Sequence, residues 1–378
     1  MKMNNLNILC VFMNKRFSPT SVTKYLGASL LLLSSVLNLM ACAPSPKEIN
    51  TLPKSNQLEL TNTKVDAWRY DALNNQIYLQ NSQNKSFIIV DVETYSEKEH
   101  IFNEIHELGL FDLSPDNKTL AISYTIDEET FVALIDNDLE NFNPQLGSSI
   151  PGTINGLLLG NDHAAYINVE DNVSKIDFNI TPPVISNLDI PASNIISLNR
   201  NGTNLYTIAK EVSPDTTTLW DINQDTPSQI SSKSFFGAGS IEHPRLVSSV
   251  KNDFLFAFSD GGHLSFDGKV EIINRSTLNK VGNLQVAGQV NALAISHDGS
   301  RALVTHNDNP VNRSPSNAYH PAIHDVHVFD LRNLDFPELG SYELPGEASP
   351  DGLIATKDNQ IVARINDGEN TKLVFLAP

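Results

Sequence analysis

Four histidines, His306, His320, His324 and His327, fall in one short stretch that also holds Asp308. Imidazole and carboxylate groups ligate divalent transition metals. His306, Asp308, His320 and His324 are therefore the residues that could together hold such an ion. His324 and His327 are three apart and face opposite sides of one strand, so they could share an ion only if the strand began after His324. Pro310, Pro315 and Pro321 keep the stretch from being helical. Its spacings match no zinc pattern, so the expectation is a metal-free loop whose imidazoles hydrogen-bond locally. With His263, these residues form a candidate ligand-binding surface. Asp136-Asn-Asp-Leu-Glu-Asn alternates carboxylates as a calcium loop does, but it lacks the glycine and distal glutamate of an EF-hand. The chain contains no Gly-x-Ser-x-Gly, no phosphate loop and no Gly-x-Gly-x-x-Gly after a strand. No catalytic residue, cofactor or resident metal is assigned from the sequence.

A second reactive group, Cys42, ends an apolar run over residues 25–39. Lys15, Arg16 and Lys24 precede the run, and the first acidic residue is Glu48. A basic start, an apolar stretch and a small-residue cut site make a secretory signal. The run is short for a spanning helix, which needs about 20 mostly apolar residues. Met13, followed by Asn-Lys-Arg, makes a more usual start to such a signal than Met1. Leu39-Met-Ala-Cys42 resembles the lipobox of bacterial lipoproteins. That resemblance implies removal of residues 1–41 as a signal peptide and acylation of Cys42, with palmitate among the chains attached. Ala43, where an aspartate usually retains such proteins in the inner membrane, implies an outer-membrane anchor. Two or more acyl chains anchor stably.

The 378-residue chain has a formal net charge of −18. Losing Lys2, Lys15, Arg16 and Lys24 with the signal makes it −22. Such a domain repels phosphate backbones, which excludes nucleic acid as a partner. Cys10 leaves with the signal, so the processed chain has no disulfide and must rest on a packed core. Residues 42–57 are polar and proline-bearing and read as a lipidated tether.

The elements that must position these residues repeat. A short apolar run, a turn rich in Asn, Asp and Gly, a second strand, a polar loop, a third strand ending in Asp or Asn, and a fourth strand make one unit. First turns sit near Asn75, Asn117, Asp162, Gly202, Asn252, Gly299 and Asn359, between 40 and 60 residues apart. Third strands include Phe87-Ile-Ile-Val-Asp, Phe131-Val-Ala-Leu-Ile-Asp, Thr218-Leu-Trp-Asp, Val270-Glu-Ile-Ile-Asn and Val326-His-Val-Phe-Asp. Asn, Asp and Gly tolerate the positive φ of tight hairpins. Short strands at this period predict an all-β chain with a seven-bladed β-propeller over residues 58–378. The last unit has room for three strands, so Leu58-Glu-Leu-Thr-Asn is expected to supply its outer one. Asp112, Asp116, Asp298 and Asp351 recur at equivalent positions of the repeats and read as architectural. Loops from second to third strands share one face, which brings His263 near the 306–324 insertion.

Ser114-Pro-Asp-Asn-Lys-Thr-Leu-Ala-Ile and Ala348-Ser-Pro-Asp-Gly-Leu-Ile-Ala resemble the YVTN repeat of bacterial surface propellers. Val326-His-Val-Phe-Asp-Leu-Arg-Asn-Leu-Asp-Phe-Pro-Glu-Leu-Gly resembles the LVIVD repeat. Both imply a propeller outside the cytoplasm, and neither implies one activity. The expected function is a lipid-anchored envelope propeller that binds or scaffolds a protein or small-molecule partner. The alternative is a metal-dependent, lactonase-like propeller hydrolase working at the face of the insertion.

Overall fold

A computed structural model describes residues 56–376, apart from 171, 191–193, 202–203, 213–214, 223–227, 232–241, 249–250, 262–267, 278, 287–288 and 308–323. The chain divides into two units, Met1–Glu48 and Ile49–Pro378, and every described residue belongs to the second. The expected signal peptide and Cys42 lie outside the described residues.

Alternation of short apolar runs with Asn- and Asp-rich turns produces seven antiparallel four-stranded sheets. A single strand, β1 (Gln57–Leu60), comes first. The first blade is β2 (Ala67–Asp71), β3 (Gln76–Asn81), β4 (Ser86–Asp91) and β5 (Glu97–Ile101). The second is β6 (Glu107–Leu113), β7 (Thr119–Ile126), β8 (Glu129–Asp136) and β9 (Ser148–Ile150). The third is β10 (Ile154–Leu159), β11 (Ala164–Val169), β12 (Asn172–Asp177) and β13 (Val184–Leu188). The fourth is β14 (Asn194–Asn201), β15 (Asn204–Val212), β16 (Asp215–Asp221) and β17 (Ser228–Ser231). The fifth is β18 (Glu242–Ser248), β19 (Phe254–Gly261), β20 (Gly268–Asn274) and β21 (Lys280–Val286). The sixth is β22 (Gln289–Ile295), β23 (Arg301–Asn307), β24 (Asp325–Asp330) and β25 (Glu338–Glu343). The seventh combines β26 (Leu353–Ala355), β27 (Ile361–Asp367) and β28 (Asn370–Leu376) with β1, in the order β1-β28-β27-β26. The fold is the expected seven-bladed propeller, and the strand containing Leu58 completes its last blade, with Leu58 opposite Leu373.

Middle strands are covered by neighbouring blades on both faces. Both β3 and β4 are buried almost throughout, so they read as continuous apolar runs rather than alternating ones. The outer strand β5, Glu-Lys-Glu-His-Ile, is largely exposed. Apolar clusters fill the gaps between blades. Phe87 of the first blade meets Phe111 of the second edge-on at 4.7 Å. Trp68, Ile77 and Leu79 of the first blade pack with Val362, Leu373 and Phe375 of the last, which closes the ring. Fully burying such a side chain stabilises by about 1.5–3 kcal/mol.

The turns follow the repeat. Asn75, Asn117, Gly299 and Asn359 all take positive φ between first and second strands. In the third blade that position falls to His163 (φ 53°), one residue after Asp162. The Ser114 hydroxyl accepts N–H bonds from Lys118 and Thr119 and donates to Asp116 at 2.7 Å. Ser296 repeats this at Arg301 and Asp298. Several innermost strands shift register partway, at Leu108/Phe111, Ile154/Gly156, Ile195/Ser197 and Val290/Ala292. Such bulges bend a strand and leave backbone groups without ladder partners. Second-strand hydroxyls fill the places: Ser123 bonds the Leu110 backbone and Thr305 accepts from the Ala292 N–H.

A chain beginning at residue 61 leaves β28 as an open edge along Thr371–Val374, so its unfolding midpoint falls and it self-associates with concentration. An unchanged midpoint by thermal scan would show that β1 does not lock the ring. Hydrogen bonding from Ser114 holds the Asp116 carboxyl below its usual value, and the Thr94 backbone N–H does the same for Asp91. A lowered folded value means stability that is present above about pH 4. It is lost as pH falls through those lower values. Urea midpoints measured down the acid limb should therefore fall, and Asp116→Asn should flatten part of that fall.

Candidate functional site

Antiparallel order puts the second-to-third connections, and those between blades, on one face of the ring. The insertion of the sixth blade leaves this face after Asn307 and returns at His324. Of the residues marked in the sequence, His263, Asp308 and His320 lie outside the described residues, as does Cys42. His306 is the penultimate residue of β23, and His324 stands immediately before β24. The strand does begin after His324, so the geometric objection to a shared ion falls. It is nevertheless His327 that meets His306. Val304 pairs with His327 and Thr305 with Val326, so His306, Asp325 and His327 share one side of the blade. The rings of His306 and His327 lie 5.1 Å apart, tilted by 32°. The backbone carbonyl of His324 accepts the Leu344 N–H at 2.6 Å.

His306 and His327 are each 8% exposed. Glu338 at the start of β25 places Oε1 2.7 Å from His327 Nδ1. A carboxylate can only accept, so Nδ1 carries a proton, and in the neutral ring Nε2 is then the lone-pair nitrogen. That Nε2 is buried without a hydrogen-bond partner, as is Oδ1 of Asp325, whose Oδ2 accepts the Ser341 hydroxyl at 3.0 Å. Among the described residues, no three His, Cys, Asp or Glu side chains are arranged to hold one ion.

A second polar group surrounds the ring axis. Arg69 Nε donates to Asp112 Oδ1 at 2.9 Å, and Asp112 Oδ2 accepts the Leu159 N–H at 3.0 Å. One buried carboxylate thus ties three blades together. Arg364, 4% exposed, lies 5.5 Å over the Trp68 ring and donates to the Val65 and Pro350 carbonyls. Burial pushes its guanidinium down to about 10, against the opposing pull of the Asp351 carboxylate. Asp351 also pairs with Arg245, and its carbonyl accepts the Trp68 indole N–H at 2.8 Å. Asp351 therefore stands before β26 at the closing seam. It does not occupy the turn position held by Asp116 and Asp298, which in the last blade falls at Lys357–Asn359. The alternating carboxylates of 136–141 form a turn, in which Asp138 caps the Glu140 N–H and Asn137 donates to the Asn117 carbonyl.

The loop face is acidic. Asp66, Glu104, Asp127, Glu128, Glu170, Glu347 and Glu369 are exposed in its connections, whose described basic residues are Lys64 and Lys85. Lys85 is spent on the Ile105 carbonyl. On the opposite face the carboxylates are more often matched, as in Asp330 with Arg332 and Asp253 with Arg275.

The fold is similar to a chain in the crystal structure of a mitotic checkpoint complex, at 13% identity and a TM-score of 0.61, covering 97% of this chain and 100% of that one. It is similar also to the β-propeller domain of Myceliophteria thermophila Cps50 (Swd1), at 11% identity and a TM-score of 0.58, covering 84% and 99%. At such identities the likeness establishes the fold alone. No family model and no curated protein matches the chain.

Replacing Asp112 by alanine leaves the Arg69 guanidinium and the buried Leu159 N–H without that acceptor. The Arg69 side chain is 39% exposed and can be rehydrated, so the expected cost is that of the lost buried acceptor, about 2 kcal/mol. Urea unfolding reads it, and a loss under about 0.5 kcal/mol would mark the contact as dispensable.

Proposed function

We propose that the chain is a lipid-anchored, non-enzymatic propeller of a bacterial envelope, working as a binding or scaffold module for a protein partner. The observation that carries this reading is the charge of the loop face, where exposed carboxylates in the connections outnumber the cations among the described residues. A closed ring that presents variable connections on fixed sheets suits recognition. A partner matched to this surface is basic there, because complementary charge steers encounter and excludes like-charged competitors. The lipobox-like Leu39-Met-Ala-Cys42 supplies the anchor, and Ala43 directs it to the outer membrane.

Two measurements test the halves of this reading separately. Labelled palmitate enters the wild-type protein and not Cys42→Ala, and label in neither removes the anchor. A photo-crosslinking residue at Glu128 captures one defined partner in intact envelopes, with less product at high salt as screening shortens. The same residue at Leu334, exposed on the other face, captures none. Equal capture from both positions overturns the assigned face. Turnover of a lactone by purified protein, abolished by His306→Gln, replaces the scaffold by a hydrolase.

A further inference from the structure

The imidazole pair of the sixth blade has a feature that local hydrogen bonding does not explain. A buried histidine in a finished core uses both ring nitrogens. His327 uses one. Glu338 holds Nδ1–H, which fixes the tautomer and aims a bare Nε2 lone pair into the blade. A carboxylate behind one ring nitrogen, with a lone pair on the other, is the outer-sphere arrangement that orients metal-ligating histidines. The neighbouring ring has a spacing that suits a shared ion. Two imidazoles on one ion at metal–nitrogen distances near 2 Å and a tetrahedral angle stand about 5 Å apart between ring centres. The rings of His306 and His327 are 5.1 Å apart. Their supports are adjacent paired strands, β23 and β24, which hold both Cα atoms in fixed register.

The geometry points to a divalent transition-metal site made by His306 and His327, with Glu338 as its positioning residue. The ion is of the kind that imidazole prefers, zinc, copper, nickel or cobalt, rather than calcium or magnesium. Among the described residues these two imidazoles are the ligands, fewer than a closed four-ligand structural site has. Neutral imidazole is the ligand, so protons compete with the ion for the pair. The groups facing the pair are Glu338, which holds Nδ1 of His327, and Asp325, on the same side of the blade. Both carboxylates favour a cation there. This inference does not depend on the partner reading.

The test uses tag-free full-length protein and the metal alone. Zinc titrated by calorimetry is expected to bind at one equivalent, and cobalt to give the visible absorption of a ligated ion. His306→Gln and His327→Gln each abolish both signals, while His106→Gln, an exposed histidine elsewhere, leaves them intact. Glu338→Gln keeps one equivalent and weakens affinity by about 10–100-fold, which a merely structural residue would not do. Wild-type histidine nitrogen resonances read the same question without a substitution, in case a variant fails to fold. Zinc should shift Nε2 of His327 ahead of every other imidazole outside the pair. No stoichiometric binding, binding untouched by His327→Gln, or zinc shifts confined to other histidines overturns the site.

Discussion

The ring depends on one antiparallel contact between distant parts of the chain, β1 against β28. Gln57–Leu60 pair with Thr371–Val374, and the neighbouring seam is sewn by Asn62, Val65, Asn366 and Asn370. Each such hydrogen bond contributes only about 1 kcal/mol net. The apolar cluster under the seam, from Leu60, Val65 and Trp68 to Phe375, buries several large side chains at about 2 kcal/mol each. Burial therefore supplies the closing force, and the hydrogen bonds select which residues meet. Without the pairing, β28 would present an open row of N–H and C=O groups, the hazard that closed β architectures avoid.

The same seam explains the cations on the axis. Arg364 is buried, and desolvation penalises its charge. It persists because Trp68 offers an aromatic face, two carbonyls accept its N–H groups, and Asp351 lies nearby. Asp351 in turn anchors Trp68 through its carbonyl and Arg245 through its carboxylate. First, fifth and last blades are thereby joined around one acidic residue. Asp112 performs the corresponding service for the first three blades. Asp351 thus links the first and fifth blades, which the apolar clusters between neighbours do not join, and Asp112 adds a polar tie between neighbours that they do.

How much of this was readable in the chain depends on range. Turn chemistry is local, so Asn75, Asn117, Gly299 and Asn359 announced the hairpins, and the Asp or Asn closing most third strands announced their ends. His163 escaped notice because its neighbour Asp162 belongs to the residue types that dominate turns. Asp351 was misplaced because Ser-Pro-Asp-Gly reads like Ser-Pro-Asp-Asn at 114–117, although one precedes a strand and the other follows it. The pairing of His306 with His327 was hidden by the insertion between their strands. Register across a long loop is set by which residues the blade buries, and no spacing within the loop encodes it. His327 was discounted on strand parity relative to His324, a rule that holds within a strand and says nothing of the strand beside it. The Glu338 contact lies one strand further out and needs the complete sheet.

The imidazole pair also bears on how the ring tolerates polar groups inside it. A buried acceptor left without a partner costs about 1–3 kcal/mol. The charge-assisted bond from Glu338 to the same ring contributes a comparable amount. The two nearly cancel, so the sixth blade closes around His327 whether or not anything occupies its Nε2. A ligand there would add stability only by its own mass action, as RT ln(1 + [L]/Kd), onto a ring already shut by β1 and β28. Fold and site are in that sense energetically separate: the seam rests on an apolar cluster between the first and last blades, and the sixth blade's strand ends can carry chemistry that the closure does not require.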